Sequence, residues 1–135
     1  MKILEKDVKK AVIAYLDLQQ RAGKLLYIRN NTGNIAVYDK ERVKKGLPPR
    51  FMKSGTTGSP DLIVALKGGV TLWVELKKPA SEQAGKKYPA GKQSVAQILF
   101  GKELNRLGHP YAIVHSVEEL KWAIEHYEKY KLEKQ

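Results

Sequence analysis

Three residues in this chain have the types and spacing for chemistry on a phosphate: Asp61, Glu75 and Lys77. They lie in the stretch SPDLIVALKGGVTLWVELKK, which reads as two strands joined at Lys67-Gly68-Gly69. A two-residue Gly68-Gly69 turn puts Asp61 opposite Leu76. A three-residue turn, with glycine in the left-handed position, puts Asp61 opposite Glu75. The apolar pattern chooses, because a one-residue slip exchanges the two faces. Only the three-residue register pairs Leu62, Val64 and Leu66 with Val74, Leu72 and Val70, giving one wholly apolar face. Asp61 and Glu75 then stand directly across from one another with Cβ atoms roughly 5 Å apart. Lys77 follows two residues on and points the same way.

Two carboxylates this close repel unless a proton or cation joins them. With the Leu76 backbone carbonyl they form an all-oxygen donor set suited to Mg²⁺ or Mn²⁺. Such an ion polarises a phosphate and lowers the pKa of a bound water, and a lysine beside it can orient that water or stabilise developing charge. The plainer alternative is a cross-strand Glu/Lys arrangement with Asp61 capping a turn after Pro60.

The elements around this hairpin follow from pattern. A helix is expected from Leu4 to Arg21, with Val8, Ala11, Val12, Tyr15 and Leu16 on its inner stripe and Gly23 ending it. Leu25–Arg29 is a strand, Asn30 to Gly33 a turn, and Ile35–Tyr38 a short strand. Lys40–Lys53 is basic, holds Pro48 and Pro49, and reads as a loop or ribbon. A Gly/Ser/Thr/Pro stretch, Ser54 to Pro60, leads into Asp61. Beyond Pro79, residues 80–92 are polar and expected to be mobile. A helix over Val95–Leu107, a strand over Tyr111–His115 and a helix over Val117–Lys131 complete the chain, the last opened by a Ser116/Glu119 capping box. The order predicts one α/β domain over residues 1–135, a central mixed sheet flanked by helices.

Length and composition bound the function. The 135 residues make one domain, and 42% hydrophobic content excludes a disordered tail. No apolar run is long enough to span a bilayer. The segment MKILEKDVKK is charged where a signal peptide is apolar, so a cytoplasmic location is expected. There is no cysteine, which removes disulfide and thiolate chemistry, and the three histidines are scattered, with no catalytic role assigned. A net charge of +11 points to a polyanion, most simply nucleic acid.

Other residues are candidates on weaker patterns. Glu5 lies within roughly 20° of Val12 and Leu16 on a helical wheel, so it either complements the helix dipole or reaches the metal site. Gln97 lies roughly 20° from Leu104 and has the same choice between the site and a capping box with Ser94. Gln93 is one turn earlier. Asn30, Asn31, Thr32 and Gly33 read as a turn or as phosphate contacts. Ser54, Gly55, Thr56, Thr57 and Gly58 can offer backbone N–H groups to a DNA strand. Lys40, Arg42, Lys44, Lys45, Arg50 and Lys53, with Lys78, Lys86, Lys87 and Lys92, are read as phosphate contacts, against solvated surface as the alternative. Phe51 and Tyr88 are candidates for stacking on exposed bases.

Pro60-Asp61, thirteen residues, then Glu75-Leu76-Lys77 resembles the PD-(D/E)XK nuclease motif. With Glu5, Arg29-Asn30-Asn31-Thr32-Gly33, Gly58-Ser59-Pro60-Asp61-Leu62-Ile63, Ser94-x-x-Gln97, Leu104 and Gly108, the chain is similar to the VRR-NUC (virus-type replication-repair nuclease) family over about residues 3–120. Its size resembles the compact standalone phage and mobile-element members, for which host-cell cytoplasm is the expected setting. The Lys/Gly-rich segment Ser81–Lys92 departs from the family pattern. The resemblance implies a restriction-endonuclease-like core and a deoxyribonuclease dependent on Mg²⁺ or Mn²⁺. It implies Asp61 and Glu75 as metal ligands and Lys77 as the catalytic lysine. It favours Glu5 as a further metal or metal-water contact. It also implies homodimers acting on branched DNA such as four-way (Holliday) junctions, in repair or recombination; Ile35–Lys53 is the expected dimer surface. No membrane and no small-molecule cofactor are expected. The other readings are a flap, end-processing or nicking nuclease, and a non-catalytic DNA-binding module.

Overall fold

The computed structural model describes residues 1–30 and 33–134. The hairpin register is the one the apolar pattern selects. Strand β4 (Leu62–Leu66) runs antiparallel to β5 (Val70–Leu76) with Leu62 opposite Val74, Val64 opposite Leu72 and Leu66 opposite Val70. Gly68 and Gly69 have φ of 82° and 75°, conformations that glycine adopts without a Cβ penalty. Two further strands complete the sheet: β1 (Leu26–Arg29), antiparallel to β4, and β8 (Tyr111–Val114), parallel to β5. The order β1-β4-β5-β8 is a mixed four-stranded sheet.

Its two faces differ as period-2 alternation requires. Leu62, Val64, Leu72, Val74 and Val114 are all 1% exposed or less. They pack in one core with Val8, Val12 and Leu16 of α1 (Glu5–Arg21) and Leu120, Ala123 and Ile124 of α4 (Val117–Lys134). Ala11, expected on the inner stripe of α1, is exposed. The other face carries Trp73, Glu75 and Tyr111 and is covered by α3 (Val95–Arg106). There Phe100 lies 6.2 Å from the Trp73 ring and Gly101 sits against Tyr111. A Cβ at Gly101 would lie 2.8 Å from the Tyr111 ring, so the missing side chain is what lets helix and sheet meet. Helices thus flank both faces of the sheet, as the element order predicts.

Of the two readings open for Lys40–Lys53, loop or ribbon, the ribbon is the one that forms. Strand β2 (Gly33–Val37) pairs with β3 (Arg50–Ser54) as a separate two-stranded ribbon, capped by the short helix α2 (Lys40–Lys44). The Asp39 carboxylate caps α2 by accepting the Arg42 N–H at 2.9 Å. Residues 80–92, expected to be mobile, instead contain the hairpin β6 (Ser81–Gln83) and β7 (Lys86–Tyr88). The N-terminal segment pins it. The Met1 ammonium donates to the Glu82 carbonyl, and the Lys2 and Ile3 N–H groups donate to the Gln83 and Ser81 side chains. Those bonds link residues some eighty positions apart, a pairing that local polarity cannot announce. The capping box of α4 is half formed. Ser116 Oγ accepts the Glu119 N–H, but the Glu119 carboxylate turns back to the His115 N–H and ring.

Among the described residues, no helix is long and apolar enough to cross a membrane.

Candidate active site

The site sits where β4 begins and β5 ends. Continuing the observed register by one residue places Asp61 opposite Glu75. Asp61 is locked in position from both sides. Its Oδ2 accepts the Leu76 N–H at 2.7 Å, and its own carbonyl accepts the Asn30 N–H at 2.8 Å. In a strand, a residue's N–H and C=O share a side. The Leu76 carbonyl therefore also faces the Asp61 side of β5.

Glu75 is the most perturbed group. The residue is 1% exposed, and Oε2 is buried with no hydrogen-bond partner among the described residues. Oε1 accepts from Gln97 Nε2 at 3.0 Å. Burial pushes its carboxyl up to about 8, and the neighbouring Asp61 carboxyl adds to the rise, against a smaller opposing pull from Lys77. Two acceptor carboxyls meet here, and a shared proton or a cation is what reconciles them.

Gln97 performs both of its candidate tasks. Its Oε1 accepts the Ser94 N–H at 2.8 Å, while Ser94 Oγ accepts the Gln97 N–H at 3.2 Å, completing a capping box. Its Nε2 is left to hold Glu75. One turn earlier, Gln93 Nε2 donates to the Tyr111 hydroxyl at 2.6 Å. Burial and the Glu75 charge push that phenol up to about 12.

Lys77 and Glu5 meet as an ion pair. Lys77 Nζ lies 3.9 Å from Glu5 Oε1, the lysine mostly buried and the glutamate largely exposed. The first residue of α1 thus reaches the site, through Lys77. Lys77 N–H donates to the Val114 carbonyl at 3.0 Å, extending the β5–β8 pairing past the strand end.

The Ser54–Pro60 stretch is shaped as a tight support for Asp61. Asn30 Nδ2 donates to both Ser59 Oγ and the Pro60 carbonyl, each at 2.8 Å. Ser59 Oγ donates onward to the Thr56 carbonyl. Gly58 has φ 85° and packs so closely on the start of α3 that a Cβ would fall 2.4 Å from the Ala96 carbonyl oxygen. Thr57 faces a groove beside Leu99 and Leu104.

The expected DNA contacts divide in space. Lys44 and Lys45 are exposed at the end of α2 and Arg50 at the start of β3, outside the four-stranded sheet. Lys86, Lys87 and Lys92 are exposed on and after the β6–β7 hairpin, whose return leg touches the site: Gly91 N–H donates to the Lys78 carbonyl at 2.9 Å. Thr56 uses its carbonyl within the loop. Asn31 lies outside the described residues, as do the side chains of Lys53 and Ser54.

Sequence reasoning does not single out Tyr111. Its signal is Gly101, a glycine inside a helical pattern, which marks a close approach. Asn30 reads from sequence as a turn residue or a phosphate contact. Its observed partners are the residues that carry Asp61.

The donor set fits a hard divalent cation: two carboxyls, one with an orphaned buried oxygen, and a carbonyl on the same side. Among the described residues no group of three or more His, Cys, Asp or Glu side chains forms a cage. Mg²⁺ commonly takes one or two protein carboxylates and keeps several waters.

Comparison with family models, with curated proteins and with solved structures gives no match.

Proposed function

We propose that this protein is a divalent-metal-dependent deoxyribonuclease with a PD-(D/E)XK-type core, hydrolysing phosphodiester bonds at the Asp61–Glu75–Lys77 site. The observation that carries this reading is the paired carboxyls at the β4–β5 mouth, with an orphaned Glu75 oxygen and a mostly buried lysine two residues on. A purely structural pair would be replaced at lower cost by apolar residues, and a simple DNA binder gains nothing from two carboxyls facing a polyanion.

Asp61, Glu75 and the Leu76 carbonyl would hold Mg²⁺ or Mn²⁺. The ion would supply Lewis-acid polarisation of the phosphate and a water of lowered pKa. The chain's own contributions are positional and electrostatic. The Leu76 N–H fixes one Asp61 oxygen. Gln97 fixes Glu75 Oε1 and leaves Oε2 unpaired among the described residues. Lys77, steadied by Glu5, presents an ammonium to the incoming water or to the charge that develops on the phosphate. Hydrolysis joins the water oxygen to phosphorus as the bond to the departing strand end breaks.

The resemblance to compact VRR-NUC nucleases supports branched DNA as substrate and a homodimer as the working form, since a two-fold junction suits a two-fold enzyme. The test compares matched four-way, flap, nicked and linear DNA with Mg²⁺, Mn²⁺ or EDTA, using wild type, Glu75→Ala and Lys77→Ala. Metal-dependent cutting lost in both variants is expected, fastest on the four-way junction. Equal rates on all substrates would move the reading to a nicking or end-processing nuclease. Tight binding with no cutting would leave a DNA-binding module.

A further inference from the structure

The strands of the β2–α2–β3 arm pair with each other and, like those of the β6–β7 hairpin, are not part of the four-stranded sheet. An isolated two-stranded ribbon is marginally stable in water. This one nevertheless exposes Tyr38, Val43, Phe51 and Met52, each 60–71% accessible, and Leu47 at 47%. Phe51 and Met52 are successive strand residues, so both faces of the ribbon carry exposed apolar surface. Between Gly33 and Ser54 there are six basic residues and only two acidic ones. Lysine is depleted at protein–protein interfaces. An apolar ribbon edged with positive charge matches a polyanion that also offers base edges.

The dimensions agree. Paired strands lie about 4.8 Å apart. The major groove of B-DNA, about 12 Å wide, admits a two-stranded ribbon. The arm is rooted at the site itself. Asn30, immediately before the arm, bonds to Ser59, Pro60 and Asp61, and Gly55 follows β3 directly. Five strand residues span about 17 Å, the rise of about five base pairs.

We infer that this arm is a duplex-binding clamp: the ribbon lies in a groove of the DNA flanking the site, and α2 contacts phosphates about five base pairs from the bond beside Asp61. The distance from the cut rests on the nuclease reading; duplex binding does not.

The experiment neutralises the tip and base of the arm with Lys40→Gln, Lys44→Gln, Lys45→Gln and Arg50→Gln together. Arg42 is left in place because its guanidinium holds the Pro48 carbonyl. All four targets are exposed, so folding should be retained. A control variant neutralises four exposed cations elsewhere, Lys9, Lys10, Arg21 and Lys24. Binding to labelled duplexes is measured in EDTA by anisotropy between about 50 and 200 mM salt. Each lost phosphate contact should reduce the slope of log affinity against log salt by about 0.9. The arm variant's slope should therefore be shallower by up to about 3.6, an affinity difference across that range of up to roughly 150-fold. The control should keep the wild-type slope. Phe51→Ser with Met52→Ser should weaken duplex binding without changing the slope. In Mg²⁺, wild type should need about five base pairs beside the cut, and the arm variant should lose that requirement.

An arm variant with the wild-type slope overturns the clamp, as does wild type that binds no duplex at low salt. So does a Phe51/Met52 variant that changes only the sedimenting mass, which would make the arm a contact between copies. Duplex binding that depends on the arm, with no cutting in any metal, upholds the clamp and removes the nuclease reading.

Discussion

Replacing Glu75 with glutamine keeps the side chain's shape and removes its titration. In the wild type, burial and Asp61 raise this carboxyl from its ordinary 4.5 to about 8. The folded protein therefore binds a proton there that the unfolded chain releases. Across the window between those two values, stability falls as pH rises, because the unfolded state carries fewer protons. The contribution is fully present below about 4.5 and is lost as pH rises through about 8. One pH unit is worth about 1.4 kcal/mol, which bounds the loss between about pH 6 and pH 8 at about 2.7 kcal/mol; half-titration near pH 8 brings it to about 2 kcal/mol. For a domain of this size that is roughly 6–10 °C in Tm. The Glu75→Gln side chain can still accept from Gln97, and its amide can donate to Asp61 as the protonated acid does. Its melting temperature in EDTA should stay flat where the wild type's falls, leaving the variant several degrees more stable at about pH 8 and inactive. Two melting curves that track one another from about pH 5 to pH 8 would refute the argument that Glu75 is the protonated group.

The packing around the site sets three further outcomes. Asn30→Leu removes both donors to Ser59 and Pro60, so the Leu76 amide, held by Asp61, should lose hydrogen-exchange protection while Val64 and Leu72 keep theirs; NMR exchange on the metal-free protein reads this directly. Gly58→Ala places a Cβ against the Ala96 carbonyl at a φ that L residues avoid, and should cost about 1–3 kcal/mol, measured by urea titration. Leu72→Ala, at a fully buried position, should cost about 2–5 kcal/mol by the same titration, with a cleavage rate unchanged at temperatures where the variant is folded.

How much of the molecule is legible in the sequence depends on how local each signal is. The β4–β5 register is legible because two apolar faces offer one self-consistent pairing, and that pairing alone brings Asp61 and Glu75 together. Gln97 is legible as a candidate but not as a choice, because one amide has an acceptor for the cap and a donor for Glu75. The β6–β7 hairpin is illegible because its partner is the N-terminal segment, distant in sequence and equally polar. The ribbon is legible only as one of two readings, loop or ribbon, because Pro48 and Pro49 read as breakers until they are seen to lie between α2 and β3, outside the strands. Tyr111 escapes notice because a strand-initial tyrosine looks like any other until Gly101 is seen against its ring.

The three-residue turn at Lys67-Gly68-Gly69 has a consequence for how this chain can change over time. It works as a ruler of fixed parity. One residue more or fewer between Asp61 and Glu75 would turn one of the two carboxyls into the core and an apolar residue out toward solvent. The hairpin can tolerate exchanges of one apolar residue for another, but single insertions and deletions there are closed to it. The β6–β7 hairpin and the arm beyond Asn30 carry no such constraint. Relatives of this protein should therefore vary in length at those two places and keep the count from Asp61 to Glu75 constant.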